Sequence, residues 1–371
     1  MTSYRVRYID YPRHFRNNEK EYMEIIHDVL SRGDLMLRGQ LRSFEEHLAR
    51  FCGTRYAVGV GNCTEALLLA LKAAGVGPGD EVVTVSHTFV ATVSVIKHLG
   101  ATPVLVDIGD DHLMDAAAME QALTDKTKAI VPVQLNGRIN GEMDRIMRIA
   151  GERGIAVVED SAQALGAVLG GRKGGSFGLA GCFSFYPAKL LGAFGDGGAV
   201  VTDDEEVAER VRLLRNHGRA ADGEIVEWGY NFRMDNLHAA ILDFKLGLLP
   251  GWLERRRAIA ALYDELLRDV AELRLPPSPE SGTARYDVFQ NYEVEAEDRD
   301  ALVRHLRERG VETMLPWGGK GVHQFEALGL DFDLPRTDEV FSKVLLLPMY
   351  VELEDDGVEY VARSVREFYG R

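Results

Sequence analysis

The sequence predicts an α/β fold in which a mostly parallel β-sheet is covered by helices on both faces. Short β-branched runs alternate with helical stretches between residues 56 and 202. Several of these runs are continuously apolar, as is typical of strands buried on both faces. The chain of 371 residues is also too long for one small core. We therefore expect a large domain of residues 1–248, with an N-terminal helical arm, and a smaller C-terminal α/β domain of residues 249–371.

The individual elements follow from periodicity and from start and stop signals. Apolar residues at helical spacing predict two amphipathic helices, 20–32 and 41–51, at the start of the chain. The predicted strands are 56–61, 81–86, 101–108, 128–135, 155–160, 181–186 and 197–202. Segment 203–218 has acidic residues in its first turn and basic residues in its last, which indicates a well-capped helix. A long helical region over 235–270 contains Pro250 and Gly251, which we expect to interrupt it.

Composition narrows the classes of partner. Acidic residues outnumber basic ones, 58 to 43, and the net charge of −15 argues against general attraction to nucleic acid or to an anionic membrane. The three cysteines, Cys52, Cys63 and Cys182, have no metal-ligand spacing, and their odd number does not indicate a disulfide framework. The first residues lack the apolar stretch of a signal peptide, and no apolar run is long enough to span a bilayer. We expect a soluble, cytoplasmic protein without a metal ion.

One lysine stands in an otherwise apolar and glycine-rich stretch, "SFYPAKLLGAFGDGGAVVT", residues 184–202. Lys189 could lie along apolar surface with its amine in water, which is the ordinary behaviour of a lysine. An amine held in a partly dry pocket instead loses its charge and becomes a nucleophile or forms a Schiff base. Lys189 alone does not distinguish the two interpretations.

Two further motifs follow predicted strands, where ligands of open α/β sheets bind. "GNCTE", residues 61–65, is a turn into a helix whose free N–H groups can bind an anion such as phosphate, although an ordinary capped turn explains it equally well. In "VVEDSAQ", residues 157–163, a buried strand ends at Asp160. The Asp160 carboxylate either caps the next helix or is held near a cationic ring nitrogen. An anion cradle, a carboxylate and an amine at strand ends are what pyridoxal phosphate (PLP) needs.

These motifs carry a resemblance to a known family. The ordered set "GNCTEAL", "SHTFVATVSVI", "VVEDSAQALGA", "SFYPAKLLGAFGDGGAVVT", "LRNHGR" and "GYNFRMDNLHAAI" resembles the DegT/DnrJ/EryC1/StrS sugar aminotransferases. The resemblance implies a fold-type I PLP enzyme with a mixed, mostly parallel seven-stranded sheet. It also implies that an amino group passes from an amino acid, glutamate by expectation, to a keto group of a nucleotide-linked sugar in two half-reactions.

The resemblance assigns roles by position. Lys189 matches the lysine that forms the Schiff base with the cofactor, and Asp160 matches the partner of its pyridine nitrogen. The other cofactor positions are Cys63 and Thr64, the backbone of Glu65, Ser184 at the phosphate, Phe89 on the ring face, Gln163 beside the ring and its O3′ oxygen, and Asn231, reaching the phosphate from the other subunit of a homodimer. Candidate contacts of the sugar are Arg219, Tyr292, Lys320 and His323.

The sequence departs from the family where the sugar should bind. A common histidine motif near a C-terminal strand is replaced by Asp287 and Gln290, and residues 315–329 are atypical. Four alternatives therefore stay open: an aminotransferase of a cyclitol ketone, a sugar dehydratase, a non-catalytic PLP-binding regulator, and a dinucleotide-dependent dehydrogenase. Lys189 argues against the dehydratase, in which a histidine replaces the lysine. The −15 charge argues against a DNA-binding regulator, and "VGVGN" lacks the third glycine of a dinucleotide fingerprint.

Overall fold

A computed structural model describes residues 4–279 and 284–371 of the chain. The α-helices are α1 Tyr11–Arg16, α2 Glu19–Arg32, α3 Gly39–Cys52, α4 Cys63–Ala73, α5 Val90–His98, α6 Ala116–Ala122, α7 Met143–Arg153, α8 Glu205–Arg215, α9 Asn236–Leu267, α10 Arg299–Glu308, α11 Pro335–Lys343 and α12 Asp355–Phe368. The strands are β1 Tyr56–Val60, β2 Glu81–Val85, β3 Thr102–Val106, β4 Thr127–Ile130, β5 Ala156–Asp160, β6 Val168–Leu169, β7 Arg172–Lys173, β8 Ala180–Ser184, β9 Gly198–Thr202, β10 Leu273–Arg274, β11 Arg285–Tyr286, β12 Tyr292–Ala296 and β13 Val344–Leu347.

The seven predicted strands form one mixed sheet in the order β1-β9-β8-β5-β4-β2-β3. The pairs β8–β5, β5–β4, β4–β2 and β2–β3 are parallel, whereas β9 runs antiparallel to both β1 and β8. The predicted fold class is confirmed. Because β1, β8, β5 and β2 share one direction, the residues that follow them meet at one edge of the sheet.

Both faces of the sheet are covered, as continuous apolar strands require. The sheet has a hydrophobic core on each face, and successive residues of β5 belong to different cores. Val157 lies in the core formed with α3, α7 and α9, and Val158 lies in the core formed with α4, α5 and α8. Neighbouring residues of a strand point to opposite faces, so the two cores sandwich the sheet. This rigid double layer holds the strand ends in place.

A smaller unit follows the large sheet. Its three-stranded antiparallel sheet has the order β10-β12-β13 and packs with α10, α12 and the C-terminal part of α9. Val6 also belongs to this second core and pairs with Val311. The start of the described chain therefore lies on the C-terminal unit, although the predicted division assigns it to the large domain.

The expectation that Pro250 and Gly251 interrupt the long helix is wrong. Helix α9 runs through both residues as one helix of 32 residues. Proline removes one hydrogen bond from the helix and crowds the carbonyl four residues earlier, and we attribute the continuity of α9 to the tertiary packing on both sides of Pro250. Leu249 and Leu253 are anchored in the large core, and Tyr263 in the small one, so α9 spans both units and contains the predicted boundary at residue 248.

Two other properties concern the chain as a whole. The three cysteines are buried and unbonded to one another. Among residues 4–279 and 284–371, no helix combines the length and apolar character needed to cross a membrane.

Candidate active site

Lys189 lies on a tight turn between β8 and β9. Its N–H donates to the carbonyl of Tyr186 at 2.8 Å, and the N–H of Ala193 donates to the carbonyl of Phe185 at 2.7 Å. A Cβ on Gly192 would overlap the carbonyl of Pro187, so the turn closes only because this residue is glycine. The turn thus holds Lys189 at the carboxyl end of β8 with its side chain half-buried.

Asp160 and Cys63 lie near the amine of Lys189. Burial lowers the pKa of Lys189 below its ordinary value, and the charge of Asp160 and the Cys63 thiol oppose part of that shift. A lowered pKa increases the fraction of neutral amine, which is the form that attacks a carbonyl. The structure therefore brings together the amine and the carboxylate that the sequence singled out.

Asp160 is the last residue of β5, and its carboxylate is held by two groups. Its Oδ2 accepts a hydrogen bond from Thr92 Oγ1 at 2.7 Å, and its Oδ1 accepts one from the N–H of Ala162 at 3.2 Å. Burial raises the pKa of Asp160, while Thr92, Ala162 and Lys189 lower it in part. A carboxyl group in this balance favours a cationic partner, such as a protonated ring nitrogen.

The neighbouring carboxylate, Glu159, has a structural role. It is fully buried and accepts hydrogen bonds from the N–H groups of Gly175, Phe177 and Gly178 and from Gln134. These donors satisfy its charge inside the fold. Of the two acids at the end of β5, Asp160 is the one that faces the lysine.

Thr92 was missed by sequence reasoning. It lies in α5 one helical turn after Phe89, is buried, and also shares a 2.7 Å hydrogen bond with Thr88. The only available signal was two threonines at helical spacing directly after a strand, "SHTFVAT", which is common in ordinary helix starts.

The turn before α4 has the geometry of an anion cradle. Asn62 caps the helix by accepting from the N–H of Glu65 at 3.0 Å, and the Glu65 carboxylate accepts from the N–H of Gly61 at 2.8 Å. The Glu65 amide is therefore engaged by the cap, whereas the N–H groups of Cys63 and Thr64 open the helix and have no intrahelical acceptor. A Cβ on Gly198 would overlap Asn62, so β9 lies directly against this turn.

Three more predicted cofactor residues surround the same sheet edge. Ser184 ends β8 and is half-buried, and Phe89 precedes α5 with 56% of its surface exposed. Gln163 follows β5, and its Oε1 accepts from the N–H of Asn136 at 2.9 Å. An exposed aromatic face beside a buried acid fits a flat ring better than a packing role.

Asn231 and Arg219 lie at the chain's surface. Asn231 is exposed and pairs through its backbone with Asn216, and Arg219 is exposed in the hairpin that precedes it. Neither has a contact with Lys189 in its own chain among the interactions of the described residues. Both positions are accessible to a second subunit.

The structure separates the predicted sugar contacts. Lys320 is exposed, but both ring nitrogens of His323 are engaged, by Ser86 Oγ at 2.6 Å and by Asp338 at 3.0 Å. Tyr292 is 1% exposed and packs on Tyr263 inside the smaller core. Burial in that core contradicts a substrate contact for Tyr292, because β12 points this side chain away from the sheet edge.

The two residues that replace the family's histidine motif are also buried. Asp287 lies 3.6 Å from the guanidinium of Arg138. Gln290 reaches the Lys189 turn, with its Oε1 accepting from the N–H of Leu190 at 2.8 Å and its Nε2 donating to the carbonyl of Ala188 at 2.8 Å. Sequence reasoning noted these residues only as departures and did not predict this contact.

The donor set fits PLP. A half-buried amine, a buried carboxylate that forms no salt bridge with any described residue, and the N–H groups of Cys63 and Thr64 at the helix start meet at the same edge of the sheet. These are the groups that an aldehyde, a pyridine nitrogen and a phosphate require.

Comparison with known proteins defines the class. The model of the DegT/DnrJ/EryC1/StrS aminotransferase family matches residues 16–366. The chain belongs to this family, whose aminotransferases depend on PLP, and the prediction of an enzyme of the sugar aminotransferase class is confirmed.

Individual relatives cover nearly the whole chain. A dTDP-3-amino-3,4,6-trideoxy-alpha-D-glucose transaminase of Micromonospora megalomicea subsp. nigra is 39% identical, over 95% of this chain and 96% of its own. A protein of Geobacillus stearothermophilus named pleiotropic regulatory protein is also 39% identical, over 97% and 98%. The crystal structure of S. venezuelae DesV in complex with a ketimine intermediate is 38% identical, covers 100% of both chains and superposes with a TM-score of 0.94.

Proposed function

We propose that this protein transfers an amino group from an amino acid, with glutamate as the expected donor, to a keto group of a nucleotide-linked sugar, using PLP. The observation that carries this proposal is the proximity of the Lys189 amine to the buried Asp160 carboxylate at the edge of the sheet. The dTDP-sugar relative supports the nucleotide-linked substrate.

The residues of the chain divide the work of holding the cofactor. The N–H groups of Cys63 and Thr64, with the Ser184 hydroxyl, bind the phosphate, because a helix start offers unpaired donors and a positive dipole end. Asp160 would hold the proton on the ring nitrogen, Phe89 would cover the ring face, and Gln163 would contact the ring from the side. Glu65 supports the turn through its carboxylate.

The bound cofactor supplies an electron sink for the carbanion formed when the substrate loses a proton. Lys189 would supply the base and the acid: its neutral amine would take the proton from the substrate carbon, and its protonated amine would return it in the second part of the transfer. Its lowered pKa increases the fraction of this neutral form.

We also propose that the working unit is a cytoplasmic homodimer with shared sites. The hairpin before Asn231 exposes Ile225, Val226 and Trp228, the last 95% exposed, which is an unusual apolar surface for a monomer. A second copy of the chain would cover this surface and bring Asn231 to the other subunit's phosphate site.

Spectroscopy and labelling test the chemistry. The purified protein with PLP should show a visible absorption band that borohydride fixes to the peptide containing Lys189. With ¹⁵N-glutamate and a panel of nucleotide-linked keto sugars, mass spectrometry should find the label in the sugar. If a cyclitol ketone is offered and takes up the label instead, the protein is the cyclitol enzyme. Loss of water from the sugar without uptake of label would indicate a dehydratase. A visible band without any turnover would favour a regulator, as the name of the Geobacillus relative suggests.

Mixing two inactive variants tests the shared site. Lys189→Ala and Asn231→Ala homodimers should each be impaired, whereas mixed dimers regain one intact site that takes Lys189 from one chain and Asn231 from the other. If mixing restores nothing although mass spectrometry finds mixed dimers, Asn231 serves its own chain and the shared site is wrong.

A further inference from the structure

Two adjacent residues directly before β12 reach two different parts of the proposed cofactor site. Gln290 contacts the turn that carries Lys189, and Asn291 contacts the side chain of Gln163. We propose that Gln290 and Asn291 are positioning residues of the aminotransferase: Gln290 fixes the Lys189 turn, and Asn291 fixes the orientation of the Gln163 amide. This inference rests on the proposed function.

The amide of Gln290 fits the backbone on both sides of Lys189. Its oxygen accepts from the N–H of Leu190 and its nitrogen donates to the carbonyl of Ala188, each at 2.8 Å. A backbone N–H only donates and a carbonyl only accepts, so the amide has one orientation. Because one side chain holds the residues before and after Lys189, the turn cannot shift without breaking both bonds.

Gln290 is itself fixed. The buried guanidinium of Arg256 donates to the carbonyl oxygens of Phe289 and Gln290 at 3.0 and 3.1 Å. A Cβ on Gly137 would lie 2.6 Å from the Gln290 nitrogen, so the backbones of the two units approach closely here. The docking of the smaller unit thus determines where the Lys189 turn sits.

The contacts of Asn291 belong to a series of hydrogen bonds that begins at the carboxylate of Glu293. Glu293 Oε1 accepts from Asn136 Nδ2 at 2.9 Å, and a carboxylate only accepts, so the other end of the Asn136 amide is its oxygen. That oxygen accepts from Asn291 Nδ2 at 2.9 Å. Burial raises the pKa of Glu293, but His87 and His112 lower it by more and hold it well below the usual range. Glu293 is therefore ionised.

This series of hydrogen bonds, which begins at Glu293, ends at the side chain of Gln163. Its Oε1 accepts from Asn291 Nδ2 at 3.1 Å and from the backbone N–H of Asn136 at 2.9 Å. With its oxygen occupied twice, Gln163 presents its NH₂ group on the opposite side as a donor. A donor beside the cofactor ring stabilises a negative ring oxygen, whereas a flipped amide would place an acceptor there and repel it.

Isosteric variants test the two residues separately. Gln290→Glu keeps an acceptor for Leu190 but faces the Ala188 carbonyl with a carboxylate. Asn291→Asp keeps the acceptor for Tyr8 but removes the donor to Gln163. Gln40→Glu is the matched control, because the Gln40 side chain accepts from Asn236 and a carboxylate can do the same. Circular dichroism and melting temperature check that each variant folds, and Gln290→Ala and Asn291→Ala replace any variant that does not.

Hydrogen exchange of the cofactor-free chain tests Gln290. We expect Gln290→Glu to accelerate exchange in the peptide covering residues 186–193 by about tenfold or more, since it loses a bond worth about 1–1.5 kcal/mol and gains a repulsion. With PLP and substrates, its kcat should fall about 10–100-fold while the KM of the donor changes little, because misplacing a reacting group costs about that much. Unchanged exchange and unchanged kcat would overturn the role of Gln290.

The pH titration of the visible band tests Asn291. Loss of a donor to the ring oxygen makes that oxygen more basic, so Asn291→Asp should move the titration upward by about one pH unit. Gln40→Glu should titrate like the wild type. A band at the wild-type midpoint in Asn291→Asp would overturn the orientation of Gln163. If the wild type itself forms no band, the proposed function fails, whereas the hydrogen-exchange result for Gln290 still stands or falls on its own.

Discussion

Two lysines with lowered pKa values, Lys189 on the turn between β8 and β9 and Lys245 in α9, contact or carry the same turn but differ in their partners. Lys245 is 1% exposed, donates from Nζ to the Gly192 carbonyl at 2.7 Å and lies over the rings of Phe194 and Tyr22 at 4.4 and 5.2 Å. Lys189 faces the carboxylate of Asp160 and the Cys63 thiol. Burial lowers the pKa of both amines, to about 8 for Lys245.

The difference shows that a lowered pKa does not by itself mark a catalytic amine. The Lys245 amine donates a hydrogen bond to a carbonyl and lies over two aromatic rings, and these contacts satisfy it inside the fold. Lys189 instead has the Asp160 carboxylate and the turn at Cys63 near its amine, and a charged partner at a ligand-binding edge of the sheet is typical of a functional site. Four experiments test this contrast, in order of expected effect.

The largest effect is expected from Lys189→Ala. The variant loses both the Schiff base and the proton carrier, so turnover should fall by more than about 10⁴-fold while folding and much of the PLP affinity remain. Steady-state kinetics, dialysis binding of PLP and circular dichroism measure the three properties. Lys245→Met is the control, and it should keep the visible band. Wild-type turnover in Lys189→Ala would remove Lys189 from the chemistry.

Asp160→Asn should lower turnover by about 10³-fold, because removing a preorganised charge from a buried site costs about 2.7–4 kcal/mol. The asparagine oxygen can still accept from the N–H of Ala162, and its NH₂ group can donate to the Thr92 hydroxyl, so the fold should persist. The kcat and the spectrum of the bound cofactor are the measurements. If Asp160→Asn works as well as the wild type, the carboxylate does not face the ring nitrogen.

Lys245 should affect stability and its pH dependence. Its folded pKa of about 8 lies below its ordinary value of 10.5, so between these pH values the unfolded chain binds a proton that the folded chain lacks. Its contribution to the free energy of unfolding therefore rises with pH across this window, by up to about 3 kcal/mol. In urea unfolding at pH 7.5, 9 and 10, the free energy of unfolding of the wild type should rise relative to that of Lys245→Met. The same pH dependence in both proteins would contradict this prediction.

The smallest effect is expected from Thr92→Val. The substitution keeps the shape of the side chain but removes its hydrogen bond to Asp160, a bond to a charged group worth about 1.5–3 kcal/mol. Turnover should fall about tenfold. Thr84→Val, which removes a buried hydroxyl bonded to the Val131 carbonyl, is the matched control. Equal losses in the two variants would mean that Thr92 acts only through folding.

The sequence predicted the parts of the site that local pattern encodes. Asp160 ends a strand, Lys189 and the turn at Asn62 come shortly after strands, and strands of a common direction bring their ends to one edge. The contacts of Gln290 and Asn291 were not predictable, since they join residues about 100 or more positions apart and depend on how the second unit docks. Tyr292, next to them, was predicted as a candidate contact of the sugar and lies in the smaller core, because the alternation along β12 turns it inward.

The sequence by itself determined the alternation of strands and helices, the common edge of the sheet and the identity of the amine and the acid on it. These features repeat over short distances, and the hydrophobic pattern records them directly. Only the tertiary structure decided that α9 continues through Pro250, that Thr92 holds Asp160, and that Gln290 and Asn291 reach the site. Each of these depends on packing between distant segments, which supplies free energy that local propensity does not contain.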